Sequence, residues 1–469
     1  MSEEGQQRAQ VETSVFSKLP QRMIEDLYRI GLIDGDRENG SFRPRDVSKD
    51  LSLFLPLLST FTPRLVPAAK ENCPLQFCTG ILNAGFPDDQ QSDTVELAFP
   101  AGGQGKTSID AALGCLGELA ERLSLCVLGE SDPRLTDRDL LQPQVDFTRL
   151  LGLSRGQIAR IEAAAFARSA TGKSERLDLD TLPARVVTLD RLGVESRIQM
   201  PGFGVLFNEY AAFQGQNLSF ASSAGCAVWA SRQGARERAL LELCERDAVA
   251  QAWYNRLGIT FLPSEVVEAS LGSDLSDFLA ERSRFTRFFR VATDLNVHVV
   301  IAVSFFDRGR SASFGAAADW STCAACFRAA KEMLQAELSL DLMEHSYQKY
   351  SGNSFNPAKL PRQLAYAREG SILADLPIEE CEIATGTELA TVHSYDSLLE
   401  SILDRNMEIW EFNATRPDLN IPCVKLMSPD LCSWEPRFGK KRLYNNVVER
   451  GLRAKPATEA EFASRPFPF

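Results

Sequence analysis

The chain has 469 residues, of which 44% are hydrophobic and 24% charged, the composition of an ordinary globular protein. Its net charge of −12, with no basic block, argues against non-specific binding to nucleic acid. The N-terminal residues lack the cationic and apolar parts of a secretory signal, and no apolar run reaches membrane-spanning length. Together with eleven scattered cysteines, these features predict a cytoplasmic protein bound to neither membrane nor nucleic acid.

The positions of the cysteines and histidines do not indicate a metal site. Cys323 and Cys326 form the only CxxC pair, and no second pair or nearby histidine completes a zinc site. His298, His345 and His393 are far apart in the sequence and form no cluster. A His-based metal site or a Ser-His-Asp triad is therefore not expected.

The order of predicted elements indicates an α/β (α+β) fold with mixed sheets. Apolar runs predict strands at 186–192, 198–207, 297–307 and 421–428, and strands repeatedly precede helices. We predict a mainly helical region over 1–92, a core over 93–350 and a C-terminal region over 351–469. The first region carries no recognisable chemistry, which fits either a structural cap or a docking surface for a partner.

Residues 93–107 resemble a phosphate-binding loop without matching one fully. The segment reads D-T-V-E-L-A-F-P-A-G-G-Q-G-K-T, a strand that feeds a glycine loop and then a helix. Pro100 stands where a Walker A loop has its first glycine, and no downstream strand ending in Asp is evident. Glycines permit close backbone approach, and we expect Lys106 to contact phosphate.

Three separated segments share one pattern of acidic and amide residues on a predicted helix. They are residues 111–122, the second half of 222–254, and residues 325–336. Their polar positions are Glu118, Glu121 and Arg122; Glu242, Glu245 and Arg246; and Glu332 and Gln335. Two glutamates three residues apart leave the same helix face. A surface ion pair between Glu242 and Arg246 is the simpler interpretation of the second segment taken alone.

The three copies together favour a shared site. They lie too far apart for tandem solenoid repeats, which keep a short fixed period. We therefore expect three helices to meet and direct their carboxylates into one site. Oxygen ligands in that number suit Mg²⁺ carrying nucleotide phosphates, which the two arginines and Lys331 would face.

These motifs resemble the YcaO family of ATP-dependent enzymes that activate backbone amides. The resemblance rests on G-E-L-A-E-R-L-S at 117–124, the S-x-G-x-A run and E-x-x-E-R-D-A at 223–248, and A-x-x-R-A-x-x-E-x-x-Q at 325–335. It spans roughly residues 95–345 and implies ATP and Mg²⁺ as cofactors. It also implies that Gly102 to Lys106 form a turn before the first glutamate helix.

The pattern and the resemblance together give a set of candidate site residues. The metal ligands would be Glu118, Glu121, Glu242, Glu245 and Glu332. The cofactor-binding residues would be Lys106, Glu118, Glu121, Arg122, Ser223, Arg238, Glu242, Glu245, Arg246, Glu332 and Gln335. The chain departs from the family at three positions, with Ala230 in place of Asn, Gly234 in place of Glu, and Arg238 in place of Gln or His. Either Arg238 supplies a replacement contact to phosphate, or nucleotide binding is weakened.

The chain ends in R-P-F-P-F, and two prolines at this spacing hold a tail extended. In the family that it resembles, azoline-forming members end in a Pro-x-Pro tail that puts the terminal carboxylate in the active site. The resemblance therefore implies a catalytic role for Pro466, Pro468 and Phe469. The tail is most similar to those of microcin-type azole synthetases, although Phe469 stands where a proline is common.

Three functions follow from the resemblance. The first is an ATP-dependent cyclodehydratase that forms thiazoline or oxazoline rings from Cys, Ser or Thr of a ribosomally made precursor peptide. The alternatives are thioamide formation and a non-catalytic scaffold subunit. No leader-binding winged helix or ThiF-like zinc domain is evident in the first 90 residues. We therefore expect a leader-binding ThiF-like or scaffold subunit and an FMN dehydrogenase as separate partners.

Overall fold

The computed structural model describes residues 16, 18–36, 41–86, 95–129, 131–139, 146–168, 185–207, 220–350, 362–378 and 381–469. Over these ranges helices and strands are interspersed, and the strands form four sheets. No helix in these ranges is long and apolar enough to cross a lipid bilayer.

The N-terminal part builds a three-stranded antiparallel sheet, β3-β4-β5, from Arg64–Ala69, Gln76–Phe86 and Val95–Gly105. Before it come helix α1 (Gln21–Ile30), a hairpin of β1 (Ile33–Asp36) and β2 (Ser41–Pro44), a 3-10 helix (Asp46–Phe54) and helix α2 (Leu55–Phe61). Helix α3 (Ser108–Ser124) packs on β4 and β5. The first region is thus helical in part and also contains strands.

Helix α3 starts almost directly after β5 because local hydrogen bonds cap it. The Thr107 hydroxyl accepts from the backbone N–H of Asp110 at 3.1 Å, and the Asp110 carboxylate accepts from the Thr107 N–H at 3.2 Å. A Cβ atom on Gly103 would lie 1.9 Å from the carbonyl oxygen of Ala111, so glycine is needed where β5 meets α3. The expected turn over Gly102 to Lys106 is therefore wrong, since β5 continues through Gly105.

A second sheet has the strand order β12-β11-β10-β9, again antiparallel. Its strands are β9 (Ile259–Phe261), β10 (Phe285–Val291), β11 (His298–Phe306) and β12 (Arg310–Asp319), with helices α7 (Ser264–Leu271), α8 (Ser273–Glu281) and α9 (Thr322–Tyr350). Strand β11 is covered on both faces. Val299 and Ile301 pack with residues of α6 (Arg232–Asn255), and Val300 and Ala302 with residues of α9. This explains its unbroken apolar run.

The third sheet joins distant parts of the chain in the order β7-β6-β13-β14-β8. Its strands are β6 (Val186–Arg191), β7 (Arg197–Pro201), β8 (Cys226–Val228), β13 (Trp410–Asn413) and β14 (Cys423–Met427). Helix α6 is capped by Ser231, whose hydroxyl accepts from the Gly234 N–H at 3.1 Å. The helix packs on β14 and on β12, so it bridges the second and third sheets.

Shorter helices cover the remaining surfaces. They are α4 (Phe147–Leu151), α5 (Arg155–Arg168), α10 (Arg362–Glu369), α11 (Ile372–Asp375), α12 (Tyr395–Leu403), α13 (Lys441–Glu449) and α14 (Glu459–Ala463). After α14 the tail runs back to α6, where the Trp253 indole N–H donates to the carbonyl oxygen of Arg465 at 3.1 Å. The C-terminal tail is therefore a packed part of the fold.

The predicted fold class is confirmed, with helices and strands combined as expected. The paired strands of all four described sheets are antiparallel, which corresponds to the α+β form of the prediction, whereas the expectation of mixed sheets is wrong for the described residues. Strands β4 and β5 pair across the predicted boundary at 92, and β13 and β14 pair with β6 and β8 across the boundary at 350. These boundaries therefore mark regions of sequence and do not separate sheets.

Candidate functional site

The three glutamate-bearing segments all form helices, α3, α6 and α9, and each packs against the sheets described above. Glu118, Glu121 and Arg122 lie on α3, Glu242, Glu245 and Arg246 on α6, and Glu332 and Gln335 on α9. Arg122 pairs with Glu118 at 2.5 Å. Arg246 pairs with Glu242 at 2.9 Å and with Glu245 at 2.5 Å.

Glu118 ties α3 to the glycine-rich strand β5. One carboxylate oxygen accepts from the backbone N–H of Gly102 at 2.7 Å, while the other pairs with Arg122. The side chain of Gln335, from α9, reaches the same point, since a Cβ atom on Gly102 would lie 2.0 Å from its Nε2 atom. The Oε1 atom of Gln335 is buried without a hydrogen-bond partner. Strand β5, α3 and α9 thus converge on Gly102.

Burial and the charges of neighbouring carboxyl groups act on Glu121, Glu242 and Glu332. Burial raises the pKa of Glu121, and the charge of Glu242 adds to that rise. Burial also raises the pKa of Glu242 and, with the charge of Glu245, raises the pKa of Glu332 to about 8. Burial, the larger cause, and the nearby negative charges both disfavour the ionised form of these carboxyl groups.

Glu245 is the most enclosed member of this acidic cluster, which we define as Glu118, Glu121, Glu242, Glu245 and Glu332. Its side chain is 7% exposed, against 22% for Glu242 and 31% for Glu118. One oxygen accepts from the backbone N–H of Ala318 in β12 at 3.3 Å. The ion pair between Glu242 and Arg246 forms as the simpler interpretation predicts, but its side chains are only 22% and 17% exposed, so it is a partly buried pair and not a surface one.

Arg246 also contacts an aromatic ring. Its guanidinium carbon lies 3.2 Å from the centroid of the Trp434 ring, a cation–π contact of about 0.5–2 kcal/mol. Its Nε atom is buried without a hydrogen-bond partner. The orientation of this side chain therefore depends on two carboxylates and one indole ring.

The predicted phosphate-contacting cations Lys106, Lys331 and Arg238 lie against aromatic rings. Lys106 and Lys331 both lie 5.3 Å from the centroid of the Phe327 ring. Burial and the charge of Arg328 lower the pKa of Lys331. Arg238 stacks on Trp229 at 3.1 Å and donates to the carbonyl oxygen of Gly234 at 3.0 Å. Arg238 is thus held by Trp229, which precedes α6, and by Gly234 in the first turn of that helix.

Two cations near the cluster were given no role from the sequence. Lys425, in β14, is buried, and its charge acts on Glu121 and Glu242. Its Nζ atom donates to the carbonyl oxygens of Ser222 and Ala224 at 2.5 and 2.6 Å, on either side of the exposed Ser223. Arg328 acts on Glu332 in the same way. The sequence signal that could have identified Lys425 is its position as the single lysine in the apolar strand at 421–428.

The tail packs into an aromatic cluster that reaches Arg246. Phe467 is 2% exposed and stacks on Trp434, with ring centroids 4.8 Å apart and planes 10° apart. Phe469 stacks on Phe314 at 5.1 Å. Pro466 is exposed, while Pro468 is buried. The indole ring that contacts Arg246 thus also contacts the tail.

The geometry of the acidic cluster bears on whether it can hold a metal ion. Among the described residues, no three His, Cys, Asp or Glu side chains lie close enough together to hold a metal ion. The raised pKa values and the unpartnered Gln335 oxygen nevertheless fit a site that accepts a cation, because a divalent ion would stabilise the ionised form of these buried carboxyl groups.

The rings of His298 and His393 lie 4.8 Å apart, so the expectation that the histidines form no cluster is wrong for this pair.

Comparison with known proteins places this site in a family. Residues 102–432 match the family described as YcaO cyclodehydratase, ATP- and Mg²⁺-binding. No curated protein sequence matches the chain significantly. The match contains every residue of the acidic cluster and ends two residues before Trp434.

The fold is shared with several solved structures. A heterocyclase in complex with substrate and cofactor superposes with a TM-score of 0.70 at 20% identity, over 97% of this chain and 62% of that one. The YcaO protein of Methanopyrus kandleri, bound with AMPPCP and Mg²⁺, gives 0.52 at 16% identity, over 84% and 91%. The Escherichia coli microcin synthetase McbBCD complex with pro-MccB17 bound gives 0.51 at 16%, over 78% and 87%.

These likenesses show the fold, and the chain spans about three fifths of the length of the heterocyclase. The family match covers well over half of the chain and includes all three glutamate-bearing helices. On this evidence of sequence and fold, the protein belongs to the YcaO family of ATP- and Mg²⁺-binding cyclodehydratases.

Proposed function

We propose that the protein is an ATP-dependent peptide cyclodehydratase that forms thiazoline or oxazoline rings in a ribosomally made precursor peptide. We further propose that it works with a leader-binding subunit and an FMN dehydrogenase. The similar fold in the McbBCD synthetase, bound to pro-MccB17, supports a precursor peptide and a multisubunit complex. Localisation to the cytoplasm belongs to the same proposal.

One observation carries the choice of cyclodehydration. The C-terminal tail is packed, and its Phe467 stacks on the Trp434 ring. That ring contacts Arg246, which pairs with Glu242 and Glu245 of the acidic cluster. Trp434 and Arg246 thus link the tail to Glu242 and Glu245 of the acidic cluster, which supports a role for the terminal carboxylate at this site. This favours cyclodehydration over thioamide formation, for which a tail of this kind is not expected. The retained carboxylates argue against a scaffold without catalysis.

Most of the residues that would hold the cofactors are those of the sequence motifs on α3, α6 and α9. Glu121, Glu242, Glu245 and Glu332 would hold Mg²⁺, and Glu118, with its two existing hydrogen bonds, would bind Mg²⁺ after a small rearrangement. Bound Mg²⁺ would neutralise phosphate charge. Arg122, Ser223, Arg238, Gln335, Lys106 and Arg246 would contact the nucleotide. The positive charge of the buried Lys425 would limit the repulsion between Glu121 and Glu242.

The proposed reaction balances as follows in atoms and charge. The thiol or hydroxyl of a substrate Cys, Ser or Thr adds to the carbonyl carbon of the preceding residue. The former carbonyl oxygen takes the terminal phosphoryl group of ATP, and ADP is released. The carbon–oxygen bond then breaks as phosphate leaves, the amide nitrogen loses its proton, and the ring C=N bond forms. The Phe469 carboxylate would accept the proton of the attacking thiol or hydroxyl, and the amide proton would pass to water.

The test uses the full chain with the precursor peptide and the partner subunits from its own gene neighbourhood. Mass spectrometry should show loss of one water per ring, with one ADP and one phosphate formed for each. An ¹⁸O label on the peptide carbonyl should appear in the phosphate. Replacement of oxygen by sulfur without a ring would instead identify thioamide formation, and absence of ATP turnover in the complete mixture would identify a scaffold.

A further inference from the structure

The contacts of Trp434 assign it a role that neither the sequence motifs nor the family match covers. We infer that Trp434 is a positioning residue that couples docking of the C-terminal tail to the placement of Arg246 in the acidic cluster. The inference rests on the proposed function only in taking this cluster as the nucleotide site. It predicts that the tail and the nucleotide assist each other's binding.

The first contact is between Trp434 and Arg246. The guanidinium carbon lies 3.2 Å from the centroid of the indole ring, and Trp434 is the aromatic residue on which this guanidinium stacks. Arg246 is 17% exposed and holds Glu242 and Glu245 by ion pairs. A guanidinium stacked on a ring keeps its plane parallel to it, so the ring restricts how the arginine can meet the two carboxylates.

The second contact is between Trp434 and the tail. The rings of Phe467 and Trp434 are nearly parallel, and Phe467 is almost fully buried. Arg362 donates to the carbonyl oxygen of Phe467 at 2.8 Å, which fixes the tail backbone at that residue. Removal of the tail would therefore uncover the indole ring and release one of the contacts that hold it in place.

The backbone at Trp434 is anchored separately. Its carbonyl oxygen accepts from the Tyr254 hydroxyl at 2.7 Å, and Tyr254 lies two turns beyond Arg246 on α6. We therefore expect the backbone at Trp434 to stay attached to α6 when the tail is absent. Only the indole side chain would then be able to change its orientation. Trp434 contacts both Arg246 and Phe467, so a change in either contact acts on the other through the shared ring.

The decisive experiment is a double-mutant cycle on nucleotide binding by the full chain. Titration calorimetry with Mg²⁺ and AMPPCP would be carried out on the unmodified protein, on Trp434→Leu, on a chain ending at Arg465, and on the two changes combined. We expect each single change to weaken binding about tenfold, within the range typical of site-to-site coupling. The combined variant should bind no more weakly than either single one.

Two further variants separate positioning from loss of stability. Trp434→Phe keeps an aromatic face and should retain most of the affinity. Trp410→Leu removes another buried tryptophan next to an arginine, Arg191, at 5.8 Å but away from the tail, and should leave the affinity unchanged. Additive losses in the cycle, or tail removal without effect on affinity, would overturn the inference. A chain that binds with the expected coupling but forms no ring would refute the proposed function alone.

A second readout works without nucleotide. Carboxypeptidase should release Phe469 several-fold faster from Trp434→Leu and from Arg246→Leu than from the unmodified chain, because either change loosens the ring on which Phe467 stacks. Mg²⁺ with AMPPCP should slow the release from the unmodified chain and not from Trp434→Leu. Equal rates of release in all three proteins would contradict the coupling, whether or not nucleotide binds.

Discussion

Gly102 and Gln335 are so close that a Cβ atom on Gly102 would lie 2.0 Å from Nε2 of Gln335. The clash in Gly102→Ala would involve the far end of a flexible side chain, which can move aside. We expect a loss of stability below about 1 kcal/mol, because no backbone has to shift. Nucleotide affinity, measured by calorimetry, should fall about tenfold, because Gln335 leaves its position; an interaction of about 1.4 kcal/mol corresponds to that factor.

The neighbouring substitution Gly103→Ala is the matched control. Here the added Cβ would meet backbone atoms, with Ala111 O at 1.9 Å and Cys115 N at 2.4 Å. We expect a loss of about 1–3 kcal/mol in the free energy of denaturant unfolding. If Gly102→Ala bound nucleotide as tightly as the unmodified chain, Gln335 would have no part in the site.

Glu121→Gln should stabilise the metal-free protein and abolish ATP turnover. The Glu121 carboxyl is surrounded by other acidic groups, and burial followed by neighbouring negative charge, including Glu242, raises its pKa. Removing a poorly compensated charge typically adds about 1 kcal/mol or more to stability. Thermal unfolding without Mg²⁺ and phosphate release with Mg²⁺ and ATP measure the two effects.

Glu118→Gln provides the opposite case on the same helix. Its carboxylate accepts from the Gly102 N–H and pairs with Arg122. Losing these charge-assisted contacts should lower the stability by about 1–2 kcal/mol. If both variants lost stability equally, Glu121 would be an ordinary paired carboxylate.

Lys440 should make the stability rise with pH in the alkaline range. Burial lowers its pKa to about 8, against about 10.4 in an unfolded chain, while its ammonium donates to the Leu150 carbonyl oxygen at 3.2 Å. Between these two values the unfolded state binds more protons than the folded state, so the free energy of unfolding increases with pH, by up to about 3 kcal/mol.

The measurement compares denaturant unfolding of the unmodified chain and of Lys440→Met from pH 7.5 to pH 10. The difference in stability should shift in favour of the unmodified chain as the pH rises, because methionine does not titrate. Parallel curves over this range would show that the buried lysine keeps an ordinary pKa.

An extension of three residues after Phe469 should strongly reduce ring formation. It displaces the terminal carboxylate, while Phe467 and Phe469 can keep their ring contacts. A positioned acid–base group contributes about 10²–10⁴-fold, so a loss in that range is expected. Affinity for Mg²⁺ and AMPPCP should stay within about twofold, because Trp434 still contacts Phe467 and changes at independent sites do not affect each other.

The control for the extension is the same three residues added at the N-terminus, with both proteins assayed for ring formation by mass spectrometry. An unchanged rate in the C-terminal extension would remove the carboxylate from the mechanism and with it the main argument for cyclisation over thioamide formation.

Several features were predictable because they are encoded locally. The spacing of Glu242 and Glu245, or of Glu118 and Glu121, fixes a shared helix face whatever surrounds it. The apolar run that includes Val299–Val303 specifies a strand covered on both sides. The family motifs lie in these same local segments, so the fold class and the family could be inferred before the tertiary structure was considered.

Other features depended on which segments meet. Gly102, Gly103 and Gly105 have the composition of a turn, yet they lie in strand β5, where an added Cβ atom would meet Gln335 of α9 or residues of α3. Lys425 and Trp434 lie far from the glutamates in sequence, and only the pairing of β14 with β8 and the return of the tail bring them to the acidic cluster. The sequence by itself determined which side chains each helix presents, because helical geometry is set by neighbours three and four residues away. The tertiary structure decided that Lys425 acts on the glutamates and what holds the tail, because Lys425 acts across distant parts of the chain and the tail's hydrogen bonds to Arg362 and Trp253 join residues more than a hundred positions apart.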